Sequence, residues 1–340
     1  MWKSFFGPDR RKTASHKLHD PENPCDGEFD PIASKADILS CFRIILGRKP
    51  NLEEWPGHSS RAGELLEDIV RTFVNSQQFK SRGLLNPEIP KNIVHADTGR
   101  FIIWANASDP VIGAPALAGR YEPHVAKVIS DTLKQGDTFV DVGANIGYFS
   151  LLASSIVGST GRVYSIEPND LNVKLLEKSR SENGFEHLRV LQIGASEHIE
   201  TLFLHAASGN GSTGALQSDQ IFSSRTIPGI PLDLVLADRS SRIRLLKIDV
   251  EGFEYKALSG MRSILEADQP DLVIEFAPKG LQGIDGKGFL DWLAAQGYQF
   301  RIIPKNGTLG AVIAPEKVLD AWRSAGVDHI DILACSAGHK

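Results

Sequence analysis

From Thr138 to Ala153 the chain reads as a strand, a tight turn and a helix. Thr138-Phe139-Val140 is apolar, Asp141-Val142-Gly143-Ala144-Asn145-Ile146-Gly147 carries two glycines, and Tyr148-Phe149-Ser150-Leu151-Leu152-Ala153 resumes an apolar run. Glycine lets the backbone turn sharply and approach a ligand where a Cβ would collide. A second strand pattern, Val163-Tyr164-Ser165-Ile166, ends in Glu167, about twenty residues beyond Gly147. A carboxylate there can accept the hydroxyls of a ribose. Together the two features predict a nucleoside-bearing cofactor at the edge of a parallel sheet.

The pattern continues along the chain. Strands are expected at 138–142, 162–166, 188–193, 243–248, 271–276, 298–303 and 330–334, with helical patterns at Leu171–Ser181, Ala257–Ala267 and Gly288–Gln296. This alternation predicts an α/β fold, a mostly parallel sheet covered on both faces. The last two strands frame the long segment 304–329 and are expected to pair antiparallel at one edge. The polar, glycine-rich stretch 208–214 reads as a loop and a candidate lid.

Upstream, residues 1–30 lack apolar periodicity and read as a disordered tail. Residues 31–86 carry two helical stripes, Ile38-Leu39-Phe42-Ile45-Leu46 and Leu65-Leu66-Ile69-Val70-Phe73-Val74, separated by the stop Gly47-Arg48-Lys49-Pro50. Residues 87–120 form a hairpin-like transition around Asp97-Thr98-Gly99, and 121–340 make up the remaining domain. The 340 residues carry a net charge of −5, which gives no basic footprint for nucleic acid. No apolar run approaches the roughly 20 residues needed to span a bilayer. Cys25, Cys41 and Cys335 have neither zinc nor disulfide spacing, and a cytoplasmic protein is the expectation.

The cofactor is narrowed by two departures from the dinucleotide pattern G-x-G-x-x-G. Asn145 stands where the second glycine would let backbone meet a pyrophosphate, and Asp141 adds negative charge at the strand end. Both suit a cationic ligand without phosphate. S-adenosyl-L-methionine satisfies them: a ribose for Glu167 and an ammonium near Asp141, within the cradle of Gly143, Asn145 and Gly147.

The second chemical block is Leu245-Leu246-Lys247-Ile248-Asp249-Val250-Glu251-Gly252-Phe253-Glu254. If the strand stays extended, Lys247, Asp249 and Glu251 share one face and open into the crevice at its carboxyl end. The structural alternative is a Lys247–Asp249 ion pair with helix-capping acids at Glu251 and Glu254. The catalytic candidates are Asp249, then Glu251, with Lys247 as an orienter. Glu275 ends another strand on the same edge. Glu122 contacts the cofactor or merely begins a helix, and Gly194-Ala195-Ser196 offers small residues against which an adenine lies flat. The ten histidines show no metal spacing and no metal site is assigned, although Asp249, Glu251 and Glu275 form an alternative set for a magnesium-like ion. His124 and His205 are the histidines worth locating relative to the crevice.

With these blocks in hand, the chain from Tyr121 to Leu333 resembles the FkbM family of S-adenosylmethionine-dependent methyltransferases. The resemblance rests on Tyr121-Glu122-Pro123, Gly136 to Tyr148, Ile166-Glu167-Pro168, Leu246 to Gly252 and Val273 to Phe276. It implies a seven-stranded doubly wound sheet, a cofactor contact at Pro168 as well as Glu167, and methyl transfer to a hydroxyl of a sugar, glycan or natural-product acceptor. Many methyltransferases carry an acid after the third strand, where this chain has Gly194-Ala195-Ser196. Residues 38–82 resemble a small helical module of bacterial surface-glycan proteins, in which Arg43, Arg48 and Glu54 read as structural or surface charges. Two other classes compete: a non-catalytic cofactor-binding or glycan-tethering module, and a nicotinamide oxidoreductase, which Asn145 disfavours.

Overall fold

The computed structural model describes residues 30–81, 91–206, 211–214 and 224–336. These fall into two compact units, one within 30–81 and one within 91–336. Residues 1–29, read as a disordered tail, lie outside the described residues.

The first unit contains α1 (Lys35–Ile44), α2 (Trp55–Ser59), α3 (Leu66–Asn75) and α4 (Gln77–Ser81). Ser34 starts α1 through a capping box: its Oγ accepts from Asp37 N–H, and Asp37 Oδ2 accepts from Ser34 N–H at 2.8 Å. The two predicted stripes meet in one core of Ile38, Phe42, Ile69 and Phe73, with the Phe42 and Phe73 rings edge to face at 4.9 Å. Arg48 forms a two-pronged pair with Glu54 and donates to Gln78 Oε1 at 2.8 Å, which ties the turn after α1 to α4. These charges hold the small unit together.

The second unit opens with a hairpin, β1 (Ile93–Asp97) and β2 (Ile102–Asn106), then α5 (Gly113–Leu117) and α6 (Pro123–Thr132). The hairpin belongs to the body of this unit: Ile103 and Ala105 are fully buried, and Asn183 holds the Ile102 backbone from both sides. There follow β3 (Thr138–Val142), α7 (Tyr148–Val157), β4 (Arg162–Ile166), α8 (Asp170–Glu182), β5 (Leu188–Leu191), β6 (Gly194–Ala195), β7 (Glu200–Ala206), β8 (Gly211–Gly214), β9 (Ser224–Ile230), α9 (Leu232–Val235) and β10 (Ile243–Ile248). The chain closes with α10 (Glu254–Ser259), α11 (Arg262–Asp268), β11 (Asp271–Phe276), α12 (Gly286–Ala295), β12 (Tyr298–Ile302), α13 (Pro315–Ala325) and β13 (Ile330–Ser336).

The central sheet has seven strands in the order β12-β13-β11-β10-β3-β4-β5. Strands β11, β10, β3, β4 and β5 run parallel, and β13 is antiparallel to both its neighbours. Every residue of β3 is buried, as a central strand covered on both faces requires. The period of two assigns alternate residues to two cores. Phe139, Leu245 and Val273 face α6 and α7, while Val140, Leu246 and Ile274 face α11 and α12. Each such side chain contributes about 1.5–3 kcal/mol by burial, so Phe139→Ala in the middle of the sheet would cost about 3–5 kcal/mol. From β3 the chain steps outward to β4 and β5, then crosses back to β10 on the other side of β3. The order reverses between β3 and β10, and a crevice opens there beyond their carboxyl ends.

Three features depart from the sequence reading. Between β5 and β10 a second sheet of order β6-β9-β7-β8 forms, in which Gly211–Gly214 is a strand paired with β7 rather than part of a loop; 208–210 lie outside the described residues. The Ala257–Ala267 pattern is two helices, α10 and α11. Segment 304–329 contains α13, with Pro315 in its first turn and Gly326 in the left-handed region (φ 65°) at its end.

Candidate active site

The turn after β3 closes tightly on the strand beside it. Gly143 has φ 81°, and a Cβ built there would lie 1.8 Å from the Asp249 carbonyl oxygen. At Gly147, φ 86°, a Cβ would meet Leu176 Cδ1 at 2.1 Å. Both glycines are thus required by neighbouring protein, one by the end of β10 and one by α8, and only Gly143 lies on the crevice wall.

The crevice is a cavity of about 390 Å³, within the roughly 300–1,000 Å³ of small-molecule sites. Its walls include Gly143, Ala144, Asn145 and Ile146 from the turn, Glu167 and Pro168 after β4, Ala195 of β6, Lys247 of β10, and Asp249 and Glu251 after β10. Glu122, Tyr121, Tyr148, Phe149 and Phe253 complete it, with Glu275 of β11 and Asp328 and His329 ahead of β13. Four non-glycine residues have left-handed backbone among those described, Glu122, Asn145, Glu251 and Gln269, and three of them line this cavity. Strain of this kind, of order 1–3 kcal/mol per residue, concentrates at functional sites.

Glu167 is nearly enclosed. Its Oε2 accepts from Asn145 N–H and its Oε1 from Asn169 N–H, each at 2.8 Å. Burial pushes its carboxyl up to about 7, against the pull of those hydrogen bonds. A carboxylate offers about four acceptor positions, so room remains for a ribose hydroxyl.

Lys247 is buried, with Nζ 2.9 Å from Asp249 Oδ2 and 5.0 Å from the centre of the Phe149 ring. Burial works against its charge, but Asp249, Asp141 and Glu122 outweigh it and raise its pKa. The expected sharing of one strand face by Lys247, Asp249 and Glu251 does not extend past β10, which ends at Ile248. Glu251 adopts φ 53° in the following turn. All three reach the cavity all the same. Glu254 does not: it is buried, and its Oε1 accepts from Val250 and Gly252 N–H, stapling that turn. Burial raises its carboxyl to about 7.

Two expected cofactor contacts lie off the wall. Gly147 is shielded by Leu176. Asp141 is fully buried, turned toward α7, where its Oδ2 accepts from Ser150 Oγ at 2.6 Å, while its Oδ1 has no hydrogen-bond partner. It stands opposite Lys247 in the β3–β10 register and acts on the site through that charge. The metal set proposed for Asp249, Glu251 and Glu275 is not assembled: among the described residues no three His, Cys, Asp or Glu side chains are grouped to hold an ion. His124 is buried against Asp331, Nε2 to Oδ2 2.7 Å, and is structural; the His205 side chain lies outside the described residues.

Sequence reasoning missed His329 and Asp328. They reach the cavity because β13 runs backward, so its beginning rather than its end meets the carboxyl ends of the parallel strands. The expected antiparallel edge was the signal that could have found them.

The wall chemistry decides between cofactors. Glu122, Glu167, Asp249, Glu251, Glu275 and Asp328 face one lysine, already paired, and His329. Such a wall repels a pyrophosphate and suits a sulfonium and an ammonium, with a flat aromatic and aliphatic lining for the rest.

Comparison with known proteins agrees. Residues 141–300 match the model of the methyltransferase FkbM domain, so the chain carries a methyltransferase domain. A protein-L-isoaspartate O-methyltransferase of Methanococcus aeolicus is 26% identical over 179 residues, which are 50% of this chain and 73% of that protein. Protein-L-isoaspartate O-methyltransferase 2 of Archaeoglobus fulgidus is 27% identical over 159 residues, 45% of this chain and 60% of that protein. Among solved structures, methyltransferase FkbM from Methylobacillus flagellatus has 14% identity and a TM-score of 0.39, covering 88% of this chain and 60% of that one. Aeropyrum pernix fibrillarin with natively bound S-adenosyl-L-methionine has 12% identity and a TM-score of 0.37, covering 62% and 74%. No helix among the described residues is long and apolar enough to cross a membrane.

Proposed function

We propose that the methyltransferase domain of this chain uses S-adenosyl-L-methionine to methylate a hydroxyl of a sugar, glycan or natural-product acceptor. The observation that carries this reading is the carboxylate-rich, phosphate-averse wall joining Glu167 to Asp249 across the β3–β10 crevice. Glu167 would hold the ribose, the Gly143–Ile146 backbone and Pro168 the adjoining part, and Ala195 would flank the adenine. Glu122 would face the charged end of the cofactor, with Asp141 behind Lys247. When bound, the cofactor supplies a methyl group already activated by positive sulfur.

The chain's part is to align the acceptor, exclude water and manage a proton. Alignment alone lowers a barrier by about 7–11 kcal/mol, and a positioned base adds roughly 10²–10⁴-fold. Asp249 would accept a hydrogen bond from the acceptor hydroxyl, with Lys247 fixing its carboxylate and Glu251 beside it on the cavity wall. The isoaspartate named for the two archaeal relatives is itself a carboxylate, which this acidic wall would repel; a neutral hydroxyl fits better. The test combines calorimetry with S-adenosyl-L-methionine and NAD in parallel, then labelled methyl transfer into an extract of the source cells. Binding of NAD in place of S-adenosyl-L-methionine overturns the reading. Binding of the methyl donor without any methylated product favours a non-catalytic module.

A further inference from the structure

The proposed reaction releases a proton into a cavity whose nearest carboxylate is already engaged. Asp249 Oδ2 lies 2.9 Å from the Lys247 ammonium and is taken up by that pair. The same cavity is lined by His329 and Glu275. His329 Nδ1 lies 3.5 Å from Glu275 Oε1, and the imidazole is 40% exposed, so it borders both cavity and solvent. A histidine beside a carboxyl group on the wall of a reaction cavity, open to solvent, has the parts of a general base. The pair is built by the sheet: Glu275 is opposite Asp331 in the β11–β13 register, and His329 precedes Asp331 by two residues.

We infer that His329, held by Glu275, takes up the proton leaving the acceptor and passes it to bulk water. The inference rests on the methyltransferase reading above. In the step, the acceptor O–H bond breaks and an imidazole N–H bond forms; the imidazolium then returns its proton to water from its exposed edge. The groups that face the pair are Asp249 after β10, Glu122 before α6 and Asp331 on β13, with Lys247 behind Asp249 and Lys305 3.6 Å from Asp331. Burial, and next the charge of Asp249, raise the pKa of Glu275.

The test follows the imidazole resonances of the full chain by NMR, His329 being assigned by its loss in His329→Gln. Glu275→Leu, which cannot hold the ring, should move the His329 resonances and lower methyl transfer while calorimetric binding of S-adenosyl-L-methionine is retained. In parallel, methyl transfer from labelled S-adenosyl-L-methionine into cell extract is followed against pH. Wild-type transfer should fall more steeply on acidification than transfer by His329→Gln. His329→Gln should retain calorimetric binding of S-adenosyl-L-methionine, lose about 10²-fold in transfer, and recover part of it with added imidazole. A His329→Gln variant with the wild-type rate and pH profile, or wild-type transfer in Glu275→Leu, overturns the inference alone. A wild-type protein that neither binds the methyl donor nor transfers from it overturns the methyltransferase reading, and this inference with it.

Discussion

Lys247 and Asp249 form an ion pair on the cavity wall in which the lysine side chain is 5% exposed and the carboxylate 20%, so the lysine depends on its partners for charge compensation more than the carboxylate does. Lys247 also answers the buried Asp141 across the β3–β10 register. Replacing it with methionine strands two carboxylates. Lys247→Met should lose about 3–5 kcal/mol in urea unfolding, the cost of breaking a buried pair. Asp249→Asn should cost less, because Asp141 and Glu122 still compensate the lysine. Equal losses would refute this division of roles.

Asp249→Asn should nevertheless lose about 10²–10⁴-fold in methyl transfer while binding of S-adenosyl-L-methionine in calorimetry stays at the wild-type level. Retained turnover would remove Asp249 from contact with the acceptor hydroxyl.

Gly143→Ala drives a Cβ into the Asp249 carbonyl, which is backbone and cannot swing aside. The variant should lose at least about 1–3 kcal/mol and its affinity for S-adenosyl-L-methionine. Gly147→Ala meets the Leu176 side chain, which can rotate, and should be milder. Thermal melts of the two variants side by side decide the order.

Glu167 and Glu254 are pushed up to about 7 by burial from an ordinary 4.5. The folded chain keeps these protons at pH values where the unfolded chain has released them. Their contribution to stability is therefore full below about pH 4.5 and is lost as pH rises toward about 7, on the order of 3 kcal/mol for each group. Melts of the cofactor-free protein should show the melting temperature falling across that window, and Glu254→Gln should flatten the fall. A profile unchanged by Glu254→Gln would contradict the assignment.

Transfer should survive chelation, since the cavity carboxylates are held apart by pairing and by separate strand ends. Turnover abolished by chelator and restored by magnesium would show that Asp249, Glu251 and Glu275 converge in solution.

Much of this architecture was legible before any coordinates. The bounds of β3, β4, β10 and β11 follow from buried apolar runs, which hold their pattern because both faces of a central strand are covered. The crevice residues Glu167, Lys247 and Asp249 follow from strand ends. Asp141 was misread because its position at a strand end looked like exposure, whereas the pleat turns it inward under α7. Glu251 was misread because alternation was carried past Ile248 into a left-handed turn. The sheet β6-β9-β7-β8 stayed hidden because β6 has only two residues and β8 is built of glycine, serine and threonine, although Leu202, Leu204 and Ile227 of β7 and β9 form a small buried cluster with Phe253. His329 stayed hidden because it precedes a strand instead of ending one.

The reversed direction of β13 has a consequence for how such a site can diverge. Apart from Glu122, the residues proposed to hold the cofactor lie between Gly143 and Ala195, whereas Glu275 and His329 are supplied by the far half of the sheet, across β10. A residue inserted or deleted between Gly326 and Ile330 would re-cut that wall of the cavity and leave the glycine turn and Glu167 untouched, so the two sides of the cavity can change independently.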